Sequence, residues 1–266
     1  MEYHNGPMGI HAEHLEAAKA AALEAGELLR GDFHRLGEVQ FKGEINLVTA
    51  SDHASQDLIF GRLSSRFPDH DFLAEEGLKK LGGAAFRWVF DPLDGTTNFA
   101  HRFPVFCVSI ALEGEGRLVC GVVHNPMSGE TFWAESGEGA WLNGRRIRVS
   151  TTGDLVRSLV ATGFSYDIRE TQANIAEHDR ILLRAQGVRR CGSAALDLGC
   201  VACGRFDGFW ELKLNPWDTA AGALLVAEAG GRVSDFEGGP VDIYRPEVVA
   251  SNGRIHPFLL EALRTR

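Results

Sequence analysis

Leu15, Ala18, Ala22, Ala25 and Leu29 recur every three or four residues within a stretch, 11–35, rich in Ala, Leu and Glu. That spacing predicts an amphipathic helix. FKGEINLVTASD (41–52) is polar and without period, which predicts an irregular segment. Ser51 or Asp52 then caps a helix that runs to about Arg66 and stops at Phe67-Pro68. Phe72-Leu-Ala and Phe86–Phe90 are apolar runs of strand length. From Val105 to Val149 short strands follow one another: VFCVSIALEG, RLVCGVVHN, ETFWAES, GAWLNG and RRIRVS. Turn residues separate them, which predicts an antiparallel meander. Past residue 150 the pattern changes. Apolar segments (SLVATG, FDGFWEL, GRVSDF, EVVASN) alternate with helical ones at 171–187, 193–203, 216–229 and 256–264. This is α/β alternation. The chain reads as one unit, 1–266, with two tightly joined lobes, 1–150 and 151–266.

Composition narrows the function classes. The 266 residues are 44% hydrophobic and 24% charged, enough for a substantial core. A net charge of −9 repels phosphate backbones, so general nucleic-acid binding is disfavoured, while a single phosphorylated metabolite remains possible where the site brings its own cations. No apolar run reaches the roughly 18 residues of a membrane span, and MEYHNGPMGIHAEH has neither the basic start nor the apolar core of a signal peptide. Five cysteines, an odd number in mostly apolar surroundings, read as reduced residues of a cytoplasmic protein. Cys200 and Cys203 form a single CxxC, which without a second pair or a nearby His does not make a zinc site. His124 reads as structural, His53 and His70 as surface residues, and Trp217 as packing.

The chemistry concentrates in WVFDPLDGTTNFAH (88–101). Pro92 lacks an N–H and is expected to end the strand that precedes it. Asp91, Asp94 and the Leu93 carbonyl would then point into one pocket, offering the hard oxygen donors that suit Mg²⁺. Gly95-Thr96-Thr97 opens a turn or helix whose free N–H groups suit phosphate. Two further acidic segments stand as partners. Glu75-Glu76 closes an apolar run, and Asp218 sits in the first turn of a helix that starts at Pro216 and ends at Gly230-Gly231. Ala220, Ala221 and Gly222 would let that helix approach a neighbouring backbone closely. No GxSxG and no P-loop is present, so neither a serine nucleophile nor a nucleotide P-loop is indicated.

AEEG (74–77), DPLDGTTNF (91–99) and PWDTAAGALLVAEAGG (216–231), together with GVVHNPMSGETFWAESGEGAWLNG (121–144), resemble the inositol monophosphatase family in order and spacing. The resemblance runs from about residue 11 to the C-terminus. It implies a layered α-β-α-β-α sandwich of the sugar phosphatase type and a Mg²⁺-dependent, Li⁺-sensitive phosphomonoesterase, commonly dimeric. By matching position, Glu75, Asp91 and the Leu93 carbonyl would hold a first metal. Asp91, Asp94 and Asp218 would hold a second, and Glu76 matches an acid near an optional third. Thr96, paired with Asp52, would orient the attacking water. The amides of Gly95 and Thr96 would take the phosphate. Gly192, Ala194 and Glu211 match positions near the substrate's alcohol, and Lys42 a basic residue in a mobile loop. Ala74 stands where a glycine is common, and LKLNPW departs from animal members.

Electrostatics agrees with that implication. Glu75, Asp91, Asp94 and Asp218 sum to −4 when ionised and would repel a phosphate dianion unless divalent cations offset them. Inositol 1-phosphate is the lead substrate. Histidinol phosphate, fructose 1,6-bisphosphate and 3′-phosphoadenosine 5′-phosphate are the alternatives within the enzyme class, the last disfavoured by the lack of an aromatic side chain near Gly192–Ala194. A regulatory binding protein on the same scaffold is the alternative outside it.

Overall fold

A computed structural model describes residues 9–33, 35, 39–42 and 46–264, with the backbone alone for 39–42 and 46–49. Helix α1 (Ala12–Phe33) is followed by a hairpin of β1 (Val39–Lys42) and β2 (Asn46–Thr49) and by α2 (Ala50–Arg66). An eight-stranded sheet comes next. It comprises β3 (Asp71–Ala74), β4 (Lys79–Lys80) and β5 (Phe86–Asp94), then, beyond the short helix α3 (Thr96–Ala100), β6 (Cys107–Gly114), β7 (Arg117–Asn125), β8 (Glu130–Glu135), β9 (Gly139–Leu142) and β10 (Arg145–Arg146). A five-stranded sheet holds β11 (Leu159–Thr162), β12 (Gly187–Arg189), β13 (Gly208–Leu212), β14 (Arg232–Ser234) and β15 (Glu247–Ser251). Helices α4 (Ile168–Thr171), α5 (Ile175–Leu182), α6 (Ala194–Ala202), α7 (Pro216–Glu228) and α8 (His256–Arg264) are interleaved with it.

The large sheet has the order β10-β9-β8-β7-β6-β5-β3-β4, antiparallel throughout except for the β3–β5 pair. The expected meander is its β6–β10 part. The small sheet is mixed: β11 runs parallel to β12 and β13, and β15 is antiparallel to β13 and β14. Helices α1 and α2 cover one face of the large sheet, α6 and α7 lie between the sheets, and α5 and α8 close the far face of the small one. The result is a mixed α/β fold in five layers, α-β-α-β-α.

Period-2 alternation distributes the core. On β5, Trp88 and Phe90 join Leu15, Ala22, Leu29, Ile59 and Leu63 of the outer helices, while Val89 faces Leu198, Ala221 and Leu225 of the inner ones. With helices on both faces, strands such as β6 are buried almost end to end, hence their unbroken apolar runs. The inner helix α7 comes close because one side of each contact lacks a side chain. A Cβ on Gly121 of β7 would stand 3.0 Å from Ala221 Cα, and one on Gly222 would stand 2.5 Å from Leu198 Cβ. The small residues of 220–222 thus seat α7 against both β7 and α6.

Four expectations are corrected. The segment 41–52 is not irregular in its described residues: Val39–Lys42 and Asn46–Thr49 pair antiparallel, with Phe41 opposite Leu47, because Val, Phe and Thr favour strands. Ser51 and Asp52 do not cap α2 but lie inside its first turn. The segment 171–187 is not one helix. Gln172 and Asn174 take φ of 52° and 70°, which splits it into α4 and α5, and its end enters β12. Pro92 does not end its strand, with consequences for the site.

Candidate active site

β5 continues through Pro92 to Asp94 by means of a bulge. Asp91 pairs with Ser109 and Asp94 with Cys107, so three steps along β5 face two along β6. Proline is tolerated at such a place because the ladder is already broken there. In a regular strand Asp91 and Asp94 would point to opposite faces; the extra residue returns both to the face of Ser109 and Cys107, towards α6 and α7. Gly95 then turns the chain with φ of 99°, and a Cβ there would stand 2.9 Å from the Val105 carbonyl. Helix α3 starts at Thr96, and its first amides have no intrahelical acceptor.

One pocket at the ends of both sheets gathers Glu75, Asp91, Leu93, Asp94, Gly95, Thr96, Gly192, Ala194, Glu211 and Asp218. Asp52 meets it through Thr96, whose hydroxyl donates to the Leu93 carbonyl at 3.0 Å and lies 3.4 Å from Asp52 Oδ2. Two expected residues stand apart. Glu76 is not among the lining residues; its carboxylate lies 3.6 Å from His53 Nε2. Lys42 closes β1, and its side chain lies outside the described residues.

Each central acid is oriented by a backbone amide. Asp91 Oδ1 accepts from Leu93 N at 2.9 Å. Asp94 Oδ2 accepts from Ala195 N at 2.8 Å and from Ser193 Oγ at 2.6 Å, so the amino end of α6 is turned on Asp94. Asp218 Oδ2 accepts from Asn215 N at 2.7 Å in the capping box that starts α7. Burial pushes the Asp91 carboxyl well above the ordinary carboxylate range, and Glu75, Asp94, Asp218 and Asp52 push it the same way. Asp218 is raised by burial and then by Glu75. Asp94 is raised by burial against the pull of its hydrogen bonds.

Does this set suit a metal? All its donors are carboxylate or carbonyl oxygens, which fit a hard divalent cation, and their mutual repulsion is what such a cation would relieve. The side chains do not form a closed cage as they stand: among the described residues, no three His, Cys, Asp or Glu make a group ready to hold an ion.

Several lining residues escape a reading along the chain. Asp197 on α6 is buried, receives the Cys191 thiol, and is pushed well up by burial. Ser193 both caps α6 and bonds Asp94; an S-A-A-L run ahead of a helix was its available signal. Asn98 ties α3 to the Gly192 turn, donating to the carbonyls of Val105 at 2.7 Å and Cys191 at 2.8 Å. Arg190 and Lys213 bring cations to the rim, Lys213 paired with Asp167. Phe164 and Tyr166 supply the aromatic wall that a linear reading of Gly192–Ala194 lacks. Elsewhere His124 is buried against Thr131 at 2.9 Å, as a structural residue should be. His70 is no plain surface residue: it stacks among His14, Phe67 and Phe86.

An acid-lined pocket with helix amides at one end, set where two sheets of a five-layer α/β fold meet, defines a sugar-phosphatase type of architecture. The chain matches the inositol monophosphatase family over residues 11–266 and belongs to that family, whose members are phosphoric monoester hydrolases and generally metal-dependent. It is 46% identical to the inositol-1-monophosphatase of Synechocystis sp. over 94% of this chain and 88% of that one. It is 43% identical to the Nus factor SuhB of Pseudomonas aeruginosa over 94% and 95%. Among solved structures, the extragenic suppressor protein suhB from Bartonella henselae superposes with a TM-score of 0.90 at 42% identity, covering 95% of this chain and 99% of that one. An inositol monophosphatase from Anabaena (Nostoc) sp. does so with a TM-score of 0.87 at 44% identity, covering 94% and 95%.

Proposed function

We propose that this enzyme hydrolyses small sugar and polyol phosphate monoesters, with inositol 1-phosphate as the lead substrate. One observation carries the reading: Glu75, Asp91, the Leu93 carbonyl, Asp94 and Asp218 share a pocket with the amides that begin α3. Glu75, Asp91 and Leu93 would hold one Mg²⁺, and Asp91, Asp94 and Asp218 a second, with Glu76 beside an optional third; bound, such ions supply positive charge for the phosphate and lower the pKa of water. The Gly95 and Thr96 amides take phosphate oxygens, a role that exposed N–H groups at a turn suit. Thr96 Oγ1 orients the attacking water, and Asp52 behind it accepts a proton. Water oxygen bonds to phosphorus as the bond to the alcohol oxygen breaks; the leaving alkoxide takes its proton from solvent water, and Asp52 later returns its own to solvent. Gly192, Ala194 and Glu211 face that alcohol, and Lys42 supplies a further positive charge near the phosphate. Both lobes, 1–150 and 151–266, act as one unit because each lines the pocket. A cytoplasmic homodimer, inhibited by Li⁺, completes the reading.

The test is phosphate release from a panel of inositol 1-phosphate, fructose 1,6-bisphosphate, histidinol phosphate and 3′-phosphoadenosine 5′-phosphate, with Mg²⁺ and with chelator. Release from inositol 1-phosphate that stops under chelator is expected. Absence of release from every ester sinks the proposal. A second reading, a regulatory binding role beside catalysis, is favoured by the relatives named Nus factor SuhB. A pull-down with the D91N variant, which keeps the surface and loses turnover, separates the two.

A further inference from the structure

Glu211 is buried at the end of β13, and no hydrogen bond among the described residues holds its carboxylate. Shape holds it instead. A Cβ built on Gly163 would stand 2.3 Å from both carboxylate oxygens and 2.4 Å from Cδ, so the acid rests in the space a side chain at 163 would fill. Gly163 has no left-handed φ to explain its identity. Its place is fixed from behind. Asn174, buried at the start of α5, donates to the Gly163 carbonyl at 2.7 Å and to Thr162 Oγ1 at 2.7 Å. Its Oδ1 accepts from Trp210 Nε1 at 2.6 Å, and Thr162 Oγ1 donates to the Trp210 carbonyl at 2.6 Å. Trp210 is the residue before Glu211. A closed, buried network thus locks the end of β11 to β13 and sets the distance between Gly163 and Glu211. Such a network holds geometry tightly when every member is satisfied.

We infer that Gly163, fixed by Asn174, is a positioning residue that sets the enzyme's preference for hydroxyl-rich alcohols by seating the Glu211 carboxylate. The inference rests on the proposed phosphatase reading. The three atoms nearest a methyl at 163 all belong to the far end of the flexible Glu211 side chain, so Gly163→Ala is expected to displace the carboxylate and leave the backbone in place. The amides proposed to face phosphate belong to a different segment, Gly95 and Thr96 at the start of α3.

The experiment compares kcat/KM for inositol 1-phosphate with that for 4-nitrophenyl phosphate, whose leaving group carries no alcohol hydroxyls, in wild type, G163A, E211A and the double variant. G163A is expected to lower the inositol-to-nitrophenyl ratio roughly tenfold, the scale of one lost polar contact. In the E211A background the methyl has room, so G163A adds nothing and the cycle is non-additive. A crystal structure of G163A reads the displaced carboxylate directly. A ratio unchanged by G163A, or lowered equally with and without Glu211, overturns the inference alone. Failure of the wild type to release phosphate from either ester overturns the phosphatase reading and this inference with it.

Discussion

Around the end of β5, Asp91, Asp94 and Asp218 each give one carboxylate oxygen to a backbone N–H, from Leu93, Ala195 and Asn215. At the end of β13, Glu211 takes none among the described residues and rests on Gly163. The first group is oriented by hydrogen bonds, the second by packing. An amide-tethered acid keeps its direction when its charge is removed, since an asparagine oxygen accepts the same bond. A packed acid keeps its charge but is moved by one methyl. Charge and position can therefore be separated experimentally on the two sides of a single pocket.

The sharpest way to break this comparison is Asp91→Asn. The Leu93 N–H still finds an oxygen, so the fold should hold, while turnover falls at least about a thousandfold. Near-normal phosphate release from D91N removes any central role for that charge. Ser193→Ala takes away one of the tethers of Asp94 and the cap of α6. It should lower turnover about tenfold and stability by about 1 kcal/mol, read by kinetics and a urea titration on the same sample. An unchanged rate would mean that the remaining donors, the Ala195 amide and the Cys107 thiol, suffice to orient Asp94.

The pH dependence of stability distinguishes the groups by sign. Folded-state pKa values of Asp91, Asp218 and Glu211 are raised, so these acids favour the fold when protonated. Their contribution is full below the ordinary carboxylate range, about pH 4, and is lost as pH rises through the raised values. His256, buried between Ser234 and Ser251 and held down to about 4, works in the other direction, losing stability as pH falls. The difference between melting curves with Mg²⁺ and with chelator cancels His256. That difference should widen as pH rises, because only the ionised acids are relieved by cations. A difference independent of pH would count against metal ligation by these residues. The smallest effect on chemistry is expected from Gly121→Ala. Its methyl would press on the Ala221 backbone at 3.0 Å, costing about 1–3 kcal/mol of stability, with activity per folded molecule little changed.

The acids of the pocket were readable to different degrees. Asp91, Asp94 and Asp218 carry short-range signals, namely Asp-Pro, Asp-Gly and the capping position of a helix begun by proline. Asp197 has none: it sits in an apolar helix, and only the approach of α6 to the end of β5 makes it part of the wall. Phe164, Tyr166 and Arg190 are likewise brought in by loops far along the chain. Glu76 shows the converse, since its neighbour Glu75 lines the pocket while Glu76 turns to His53 on α2.

Taken alone, the sequence determined where helices and most strands form, because periodicity, caps and breakers act within a few residues. It also determined the acid-rich character of the site and the family. The tertiary structure decided which face each acid points to. Whether Pro92 ended a strand or bulged it depended on the pairing of β5 with β6, and one inserted residue in that register sends Asp91 and Asp94 to the same side. It also decided how Glu211 is held, since the empty space above Gly163 exists only once β11 and β13 lie side by side. Local signals are carried by covalent neighbours; register and close approach are set by surfaces that meet only when the layers pack.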